Sequence, residues 1–507
     1  MTKPWRWKSL LANDLWLLVL AAALRVALQA FTNAQYGFFR DELVVLDDAR
    51  QLQWGFVAYP PFTPFLGWIG LSLFGSSLNG IRFVSVLAQG VVMLLAGLMV
   101  RAMGGKRWAQ MLAAAAVGTS PLSIVNGTVL QYTVFDCLWW VLAAYFIVRL
   151  LQSEDARWWL GVGASLGFGL LTKYTIVFLG AGIVFGTLCT KSRHYLKSVW
   201  FWGGVAVMLL IATPNLLWQI HHGFVSLSFL RSIHARDVGL GRDRGFLLDQ
   251  IKFNGNVITV GLIIAGIYFC LFSPIGRRYR SVGLTYFGTL ALLVAAKGRP
   301  YYLSPAYPIL IAAGARWTEE RLSRLTQMRD RLVRRVVGGV LAAGALCVVG
   351  FTLPVAPINT PWWRLVSFFN ENLKEEIGWH ELVETIARIE ATLPMEEKPG
   401  TAILAGNGGE AGAINLFGPA CGLPRAISGF NSSWERGYGN PPPRTLIVIG
   451  FSADFLRDNF ESCLAEGSVT NRYGIQNQET TNCPVVYVCR GLREPWPEFW
   501  RKLRCYG

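Results

Sequence analysis

The stretch IRFVSVLAQGVVMLLAGLMV, residues 81–100, decides the class of the fold because it is almost entirely apolar over its whole length. A helix of about 20 apolar residues is long enough to cross the hydrocarbon core of a bilayer. Further runs of the same character lie on either side of it, so the sequence predicts a polytopic α-helical membrane protein with about 11 transmembrane helices. The other predicted spans cover residues 14–32, 109–126, 134–151, 158–172, 175–190, 199–217, 256–273, 281–296, 301–315 and 335–353.

The overall composition agrees with a membrane protein. Hydrophobic residues make up 53% of the 507 residues, and only 15% are charged, whereas soluble domains carry about 25% charged residues. These values exclude a single water-soluble globule and a disordered chain. A net charge of +16 would point to nucleic acid in a soluble protein, but in so apolar a chain we attribute it to membrane loops. We therefore expect membrane lipids, and no nucleic acid, as partners.

The basic residues also predict the orientation of the chain. With a cytoplasmic N-terminus, the inner loops carry about twice as many Lys and Arg residues as the outer loops, which is the bias of the positive-inside rule. An odd number of crossings then places the C-terminus outside. The basic start MTKPWRWK is followed by Asp14 and by no small-residue cleavage site, so we expect a retained first helix and not a removed signal peptide.

The composition changes near residue 354, where the apolar runs end. We expect two domains: a transmembrane domain at 1–353 and a small soluble α/β domain at 354–507 on the outer side of the membrane. Predicted helices and strands of the second domain lie at 362–392, 401–406, 444–450, 452–465 and 484–489. An oxidising compartment would permit a disulfide, for which Cys463 and Cys483 are the preferred pair, and free cysteines are the alternative.

The loop after the first predicted helix reads NAQYGFFRDELVVLDDARQLQWGFVAYPPFTP. Asp41 and Glu42 follow the membrane segment closely, and carboxylates beside a bilayer are costly unless they are solvated or paired. They therefore indicate a functional site, with a salt bridge to Arg40 as the alternative. Asp47 and Asp48 have the pattern of a solvated helix face.

The motifs of this loop and of five later segments resemble those of lipid-linked-sugar glycosyltransferases of the GT-C superfamily. The similarity is greatest to the bacterial branch near protein O-mannosyltransferases, aminoarabinose transferases and the galacturonosyl transferases of lipopolysaccharide core. The motifs follow the family order along nearly the whole chain. After FFRDEL and YPPFTP come NGTVLQYTVFDCLWW (126–140), GLLTKYT (169–175), PNLLWQIHHGF (214–224), KGRPYYLSPAYP (297–308) and EAGAINLFG with GLPRAISGFNSSW (410–434).

The resemblance implies an enzyme that takes a sugar from a polyprenyl-phosphate donor in a cavity on the outer face. An acceptor hydroxyl must lose a proton as it attacks, and the matching position for the general base is Asp41. Glu42 would orient substrate or hold a metal, and Asp136 would be a second catalytic acid. The alternative for Asp136 is an acid favoured by the dipole at a helix N-terminus. No cofactor is required by the sequence, but a divalent metal held by Glu42 and His221 is left open.

The leaving phosphate gathers negative charge, which fixed cations should stabilise. The residues expected at the donor phosphate are Lys173, Tyr174, Lys297, Arg299, Tyr301 and Tyr302. The alternative is that these cations contact lipid headgroups. Arg25, inside the first predicted helix, should extend to the headgroups or pair with an acid in the outer cavity.

The sequence thus predicts an inverting glycosyltransferase of the bacterial inner membrane, with no covalent nucleophile. The acceptor would be a cell-envelope molecule on the periplasmic face: lipid A, lipopolysaccharide core, another glycan or a protein. A transporter or flippase of the lipid-linked sugar, without transferase activity, is the alternative. Such a protein should place charges at mid-membrane and show repeat symmetry, whereas here the charges cluster at helix ends. A scaffolding membrane protein would leave Asp41 and Lys173 without a role.

Overall fold

The computed structural model describes residues 14–254 and 257–507. The predicted N-terminal basic start, with Lys3, Arg6 and Lys8, lies outside the described residues. Up to residue 353 the described chain is mainly helical. The α-helices of this part are α1 (Asp14–Thr32), α2 (Arg40–Ala49), α3 (Phe62–Phe74), α4 (Leu78–Ala102), α5 (Arg107–Gly118), α6 (Pro121–Asn126), α7 (Tyr132–Ser153), α8 (Trp158–Leu170), α9 (Ile176–Leu188), α10 (Val199–His221), α11 (Val225–Gly239), α12 (Phe246–Asn254), α13 (Val257–Leu271), α14 (Arg280–Ala295), α15 (Tyr307–Leu322) and α16 (Gln327–Thr352).

Each predicted span overlaps at least one of these helices, but several of the helices are short, and residue 256 of the span predicted at 256–273 lies outside the described residues. Five of the helices described, α1, α4, α7, α10 and α16, are long and apolar enough to cross a membrane. Two sharply bent pairs, one at α9 and one at α13 and α14, raise that number to seven if each counts as one span. A 13-residue helix such as α8 is about 20 Å long, which is less than the hydrocarbon thickness of about 30 Å. By length and composition the described chain therefore has five to seven spans, fewer than the predicted number.

A helix-capping serine and prolines interrupt two of the predicted spans. The predicted span 109–126 breaks after α5, because Ser120 caps a new helix that begins at Pro121. The predicted span 301–315 begins as a 3₁₀ helix, Pro300–Ala306, which contains Pro305. Proline has no backbone N–H to donate, so it favours the ends of helices over their interior.

The C-terminal part contains a five-stranded mixed sheet with the order β2-β1-β3-β5-β4. Strands β1, β2 and β3 run parallel, whereas β5 is antiparallel to both β3 and β4. The elements of this part are α17 (Pro361–Phe369), α18 (Trp379–Thr392), β1 (Thr401–Ala405), α19 (Gly408–Phe417), β2 (Ala426–Ser428), α20 (Asn431–Glu435), β3 (Thr445–Ile449), α21 (Ala453–Asn459), β4 (Phe460–Ser468), α22 (Gln478–Thr481), β5 (Val485–Leu492) and α23 (Trp496–Leu503).

Three expectations for this part are wrong. The amphipathic helix predicted at 362–392 is divided into α17 and α18 by residues 370–378, of which Glu371–Leu373 form a short 3₁₀ helix. The predicted helix at 452–465 ends at Asn459, and the chain continues as β4, where Cys463 lies directly opposite Cys489 on β5. The disulfide joins these two residues and not Cys463 and Cys483. Strand pairing between segments distant in sequence decides which cysteines meet.

Helix α2 joins the two parts of the molecule. Its Leu43 and Leu46 are fully buried in a hydrophobic cluster that also contains Ile386 and Ile414 from the C-terminal part. Helix α19 approaches α2 so closely that a Cβ atom on Gly412 would lie 2.5 Å from the carbonyl oxygen of Leu43. The two parts therefore share a core on either side of the boundary predicted at residues 353 and 354.

Candidate functional site

Helix α2 presents Asp41 at its first turn, next to a buried ion pair. The backbone N–H of Phe39 donates to Glu42 Oε2 at 2.8 Å. Arg82 of α4 donates to the same oxygen at 2.6 Å through Nη2. Glu42 and Arg82 have no exposed side-chain surface. This contact fixes the start of α2, and with it the position of Asp41.

Asp41 lines a cavity of about 540 Å³, together with most of the residues predicted to contact the donor phosphate. Segments far apart in the chain form its wall: α2, the turn between α8 and α9, helix α11, the loop after α14 and the start of α20. The predicted residues on this wall are Asp41, Lys173, Tyr174, Lys297, Arg299 and Tyr302.

The Asp41 carboxylate is open to the cavity and has one hydrogen-bond donor. Gln131 Nε2 donates to Asp41 Oδ2 at 2.6 Å. The surrounding protein raises the pKa of Asp41 above its ordinary value through desolvation, which the Gln131 hydrogen bond and the Arg40 charge oppose. A carboxylate that holds few hydrogen bonds and has a raised pKa is suited to accept a proton.

Lys173 lies in the turn between α8 and α9, inside a cage of aromatic rings. Its Nζ is 4.1 Å from the ring centroid of Tyr302, 4.9 Å from that of Tyr301 and 5.4 Å from that of Tyr132. The faces of aromatic rings attract cations and hold them without neutralising their charge. Within the described residues the amino group of Lys173 has no ion pair, so its charge stays available to an anion in the cavity.

The guanidinium of Arg299 is paired with an acid, so it is less available to a phosphate than the sequence predicted. Its Nε and Nη2 donate to the two carboxylate oxygens of Asp237 at 2.6 and 2.9 Å, and Arg242 donates to Asp237 at 3.0 Å. Burial by itself would raise the pKa of Asp237, but the hydrogen bonds from Arg299 and Arg242 hold it below its ordinary value. This acid on α11 carries no sequence signal of its own, and it neutralises part of the cationic cluster.

Lys297 follows α14 in a left-handed backbone conformation, with φ of 47°. Its side chain is exposed on the cavity wall. Like Lys173, it has no ion pair within 14–254 and 257–507. The cavity therefore holds two lysines whose positive charges are not neutralised by a neighbouring acid of the described chain.

Four predicted site residues do not line the cavity. Glu42 is enclosed, and its Oε1 accepts from Leu130 N at 2.8 Å in addition to Arg82. Asp136 is buried and accepts from Trp140 Nε1 at 3.1 Å. Tyr301 contributes only to the cage around Lys173, and His221 lines a separate cavity with Trp54 and Trp218.

The structure does not bring Glu42 and His221 together as metal ligands. Both Glu42 oxygens are occupied by donors that a metal would have to displace. His221 Nδ1 contacts the carbonyl oxygen of Leu217 at 2.7 Å. Among the residues the structure describes, no group of three or more His, Cys, Asp or Glu side chains could hold a metal ion.

Three expectations about charged side chains are corrected by packing. Arg25 neither extends to headgroups nor meets an acid, but donates to the carbonyl oxygens of Gly118 and Ser123. Arg40 pairs with Glu375 and Glu479 of the C-terminal part and not with a neighbouring acid on α2.

Asp47 and Asp48 are buried, not solvated. Arg436, from the C-terminal part, contacts both carboxylates, and its Nη1 lies 2.6 Å from Asp47 Oδ2. Asp48 also accepts from the hydroxyl of Tyr59 at 2.7 Å, and the Tyr59 ring contacts Tyr132 of the Lys173 cage.

Sequence reasoning missed several residues of the cavity. Gln131 and Tyr132 precede Asp136 in the motif NGTVLQYTVFDCLWW, on which the resemblance partly rests. Their position in that motif could have predicted them as cavity residues. Phe430 and Asn431 also lie in a motif of the resemblance, GLPRAISGFNSSW, but only the packing of the C-terminal part against α2 brings them to the wall.

Comparisons with known proteins agree with this architecture. Residues 58–218 match the family model described as dolichyl-phosphate-mannose-protein mannosyltransferase. Two proteins of Rhizobium johnstonii are similar to the chain. The lipopolysaccharide core galacturonosyltransferase RgtB is 29% identical over 181 residues, which are 34% of this chain and 37% of RgtB. The lipid A galacturonosyltransferase RgtD is 29% identical over 128 residues, which are 24% of this chain and 26% of RgtD.

The match thus spans little more than a third of the first of these relatives. The crystal structure of ArnT from Cupriavidus metallidurans bound to undecaprenyl phosphate superimposes with a TM-score of 0.58 at 15% identity, covering 93% of this chain and 97% of ArnT. The apo form of ArnT gives a TM-score of 0.56 over the same shares. These findings confirm the resemblance to GT-C glycosyltransferases and show that the chain has the mostly helical fold of that membrane class.

Proposed function

We propose that this chain is an inverting glycosyltransferase that moves a sugar from a polyprenyl-phosphate donor to a cell-envelope acceptor. The observation that carries the proposal is the single cavity in which an open carboxylate, Asp41, and a caged but unneutralised cation, Lys173, both lie. A base and a phosphate-binding cation are the two groups that such a transfer requires.

The comparisons support the class of donor and acceptor. ArnT was solved with undecaprenyl phosphate bound, and this chain shares its fold. RgtB and RgtD are named for transfer of galacturonic acid to lipopolysaccharide core and to lipid A. We infer a polyprenyl-phosphate sugar as donor and a glycan, lipid or protein of the envelope as acceptor.

The chemistry is a single displacement at the anomeric carbon. The acceptor oxygen forms a bond to that carbon as the bond from the carbon to the phosphate oxygen breaks, which inverts the configuration. Asp41 takes the proton of the acceptor hydroxyl. The departing polyprenyl phosphate keeps the electron pair, and Lys173 and Lys297 stabilise its charge. Arg299 contributes through the part of its guanidinium that Asp237 leaves free.

The remaining acids have supporting roles in this proposal. Glu42 positions Asp41 by fixing the start of α2 through Arg82. Asp136 lies within electrostatic range of Lys173. No step requires a metal.

We also infer the placement in the cell. The cavity opens to the periplasmic side of the inner membrane, the N-terminus is cytoplasmic, and the domain at 354–507 lies in the periplasm against the transmembrane domain at 1–353. The disulfide between Cys463 and Cys489 supports an oxidising compartment for the C-terminal part.

The test compares the lipopolysaccharide and the lipid-linked sugars of four strains by mass spectrometry. The strains carry the wild-type gene, a deletion, Asp41→Asn or Asp454→Asn. Asp454 is a matched control because it is an exposed acid on α21, paired only with Arg457 among the described residues. Deletion and Asp41→Asn should each remove one sugar from an envelope acceptor and raise the amount of its lipid carrier, and Asp454→Asn should resemble wild type.

A normally expressed Asp41→Asn protein that restores the sugar fully would contradict the role of Asp41. If the purified protein moves lipid-linked sugar across vesicles but never transfers it, the chain is a flippase and the proposal fails.

A further inference from the structure

A second large cleft lies away from the catalytic cavity. It has a volume of about 1010 Å³. It is formed at the sharp bends of two pairs of consecutive helical segments. One bend joins α9 to the 3₁₀ helix Lys191–Lys197 at 116°, and the other joins α13 to the segment that begins at Ile275 at 89°.

The cleft is strongly basic. Its lining carries one acidic residue, Glu154, which is paired with Arg278 at 3.1 Å. The other cationic side chains on the wall are exposed, and within the described chain they have no ion pair. They are Lys191, Arg193, Arg277 and Arg280.

An apolar wall lies directly beside these cations. It includes Leu188 at the end of α9 and Phe272 after α13, which are 54% and 66% exposed. Exposed apolar side chains at the end of a membrane helix are expected to contact lipid chains, because burial of apolar surface away from water is favourable. A basic surface that continues into an apolar one is complementary to a phosphate headgroup attached to acyl chains.

The cleft lies at the opposite end of the helices that reach the catalytic cavity. Helix α9 begins just after Lys173 and ends at Leu188, whereas α14 begins at Arg280 and ends just before Lys297. Helices of 13 and 16 residues separate the two sites by about 20 to 24 Å. The cations of the cleft lie in segments predicted to be inner loops, so a ligand of the cleft would come from the other leaflet.

We propose that this cleft binds an anionic phospholipid of the leaflet opposite the catalytic cavity. Arg193, Arg277 and Arg280 contact the headgroup phosphate, and the acyl chains lie against Leu188 and Phe272. The bound lipid fills the cleft between the two bent pairs of helical segments. It neutralises cations that otherwise repel one another. This site does not depend on whether the enzyme transfers a sugar.

The test measures lipid retention by native mass spectrometry of the detergent-purified full chain, with phosphatidylglycerol or phosphatidylcholine added. One variant combines Arg193→Gln, Arg277→Gln and Arg280→Gln. The control combines Arg329→Gln, Arg331→Gln and Arg335→Gln, which removes the same charge from exposed arginines of α16 outside the cleft. The thermal unfolding midpoint of each variant verifies that it is folded.

The wild-type chain should retain phosphatidylglycerol in preference to phosphatidylcholine. The cleft variant should lose about tenfold or more of that retention, because each arginine near a phosphate contributes separately, and the control should retain the lipid as wild type does. Equal retention of the two lipids by the wild-type chain, or an equal loss in cleft and control variants, would overturn the proposal.

Discussion

At the scale of single residues, the distinctive feature of the site is that aromatic rings, and not acids, surround its lysine. Rings from Tyr132, Tyr301 and Tyr302 surround the amino group of Lys173. A carboxylate partner would neutralise the lysine and compete with a phosphate for it. The cage holds Lys173 in place but leaves its charge free for an anion in the cavity.

The ring of Tyr302 should therefore matter more than its hydroxyl group. Tyr302→Leu removes the nearest ring and should lower kcat/KM for sugar transfer about tenfold, in line with a cation–π interaction of about 1 to 2 kcal/mol. Tyr302→Phe keeps the ring and should lose much less. Steady-state kinetics with a purified polyprenyl-phosphate sugar measure both, and equal losses in the two variants would show that the hydroxyl is what acts.

The environment of Asp41 predicts a pH dependence of the reaction. Desolvation raises the pKa of Asp41, and the hydrogen bond from Gln131 opposes that rise. Because the base must be ionised, kcat/KM should fall as the pH drops through this raised pKa. Gln131→Ala removes a donor to the charged form, so the acidic limb of the profile should move to higher pH. A limb that stays in place would mean that Asp41 is not the titrating base.

At the scale of secondary-structure elements, α2 holds the site together by contacting both parts of the molecule. Glu42 attaches it to α4 through Arg82. Asp47 and Asp48 attach it to Arg436 of the C-terminal part. Burial raises the pKa of Asp48 to about 6, which the charge of Arg436 and the hydroxyl of Tyr59 oppose. The amphipathic pattern of α2 alone does not distinguish a solvated acidic face from one covered by a distant arginine.

Removal of Arg436 should destabilise the protein strongly. Arg436→Ala leaves two buried carboxylates unpaired, which costs about 3 to 5 kcal/mol in comparable sites, and the thermal unfolding midpoint should fall accordingly. The loss should shrink as the pH drops toward about 6 and change little below it, because without the Arg436 charge the pKa of Asp48 lies above that value, and protonation of Asp48 then removes an unpaired charge. Arg444→Ala is the control, since Arg444 is exposed and has no ion pair within the described residues. Similar losses in the two variants would contradict this role of Arg436.

At the scale of the whole molecule, the two charged clefts lie at opposite ends of α9 and α14. The C-terminal part covers the end with the catalytic cavity, to which Phe430 and Asn431 contribute. This arrangement predicts which cysteines are accessible from each side of a membrane. Cys421 and Cys505 are exposed on the C-terminal part, and Cys189 is exposed beside the basic cleft.

Single-cysteine variants should therefore differ in labelling by a membrane-impermeant maleimide. In intact spheroplasts, variants that keep the Cys463–Cys489 disulfide and have Cys421 or Cys505 as the one free cysteine should react, and a variant whose one free cysteine is Cys189 should react after permeabilisation. Mass spectrometry of the purified protein measures the modified fraction. If Cys189 in intact spheroplasts were labelled at the same rate as Cys505, the proposed membrane orientation would be wrong.

The sequence by itself determined the membrane class, the positions of the helices and the segments that supply the cavity. Apolar runs and strand patterns are local properties, and most of the helices and three of the strands lie in the segments that those patterns predict, although the helices predicted at 362–392 and 452–465 are divided or cut short. Asp41, Lys173, Lys297 and Arg299 were predicted because their motifs resemble those of GT-C glycosyltransferases, and Asp41 also because a carboxylate beside a bilayer is costly unless it is solvated or paired.

Only the tertiary structure decided how each charge is used. Glu42 is enclosed with Arg82, Arg299 is held by Asp237, and Cys463 is joined to Cys489. The same holds for the tyrosine cage, for the burial of Asp47 and Asp48, and for the interruption of several predicted spans. The physical reason is that the protonation, pairing and exposure of a side chain depend on which distant segment packs against it, and that partner leaves no trace in the periodicity of the neighbouring sequence.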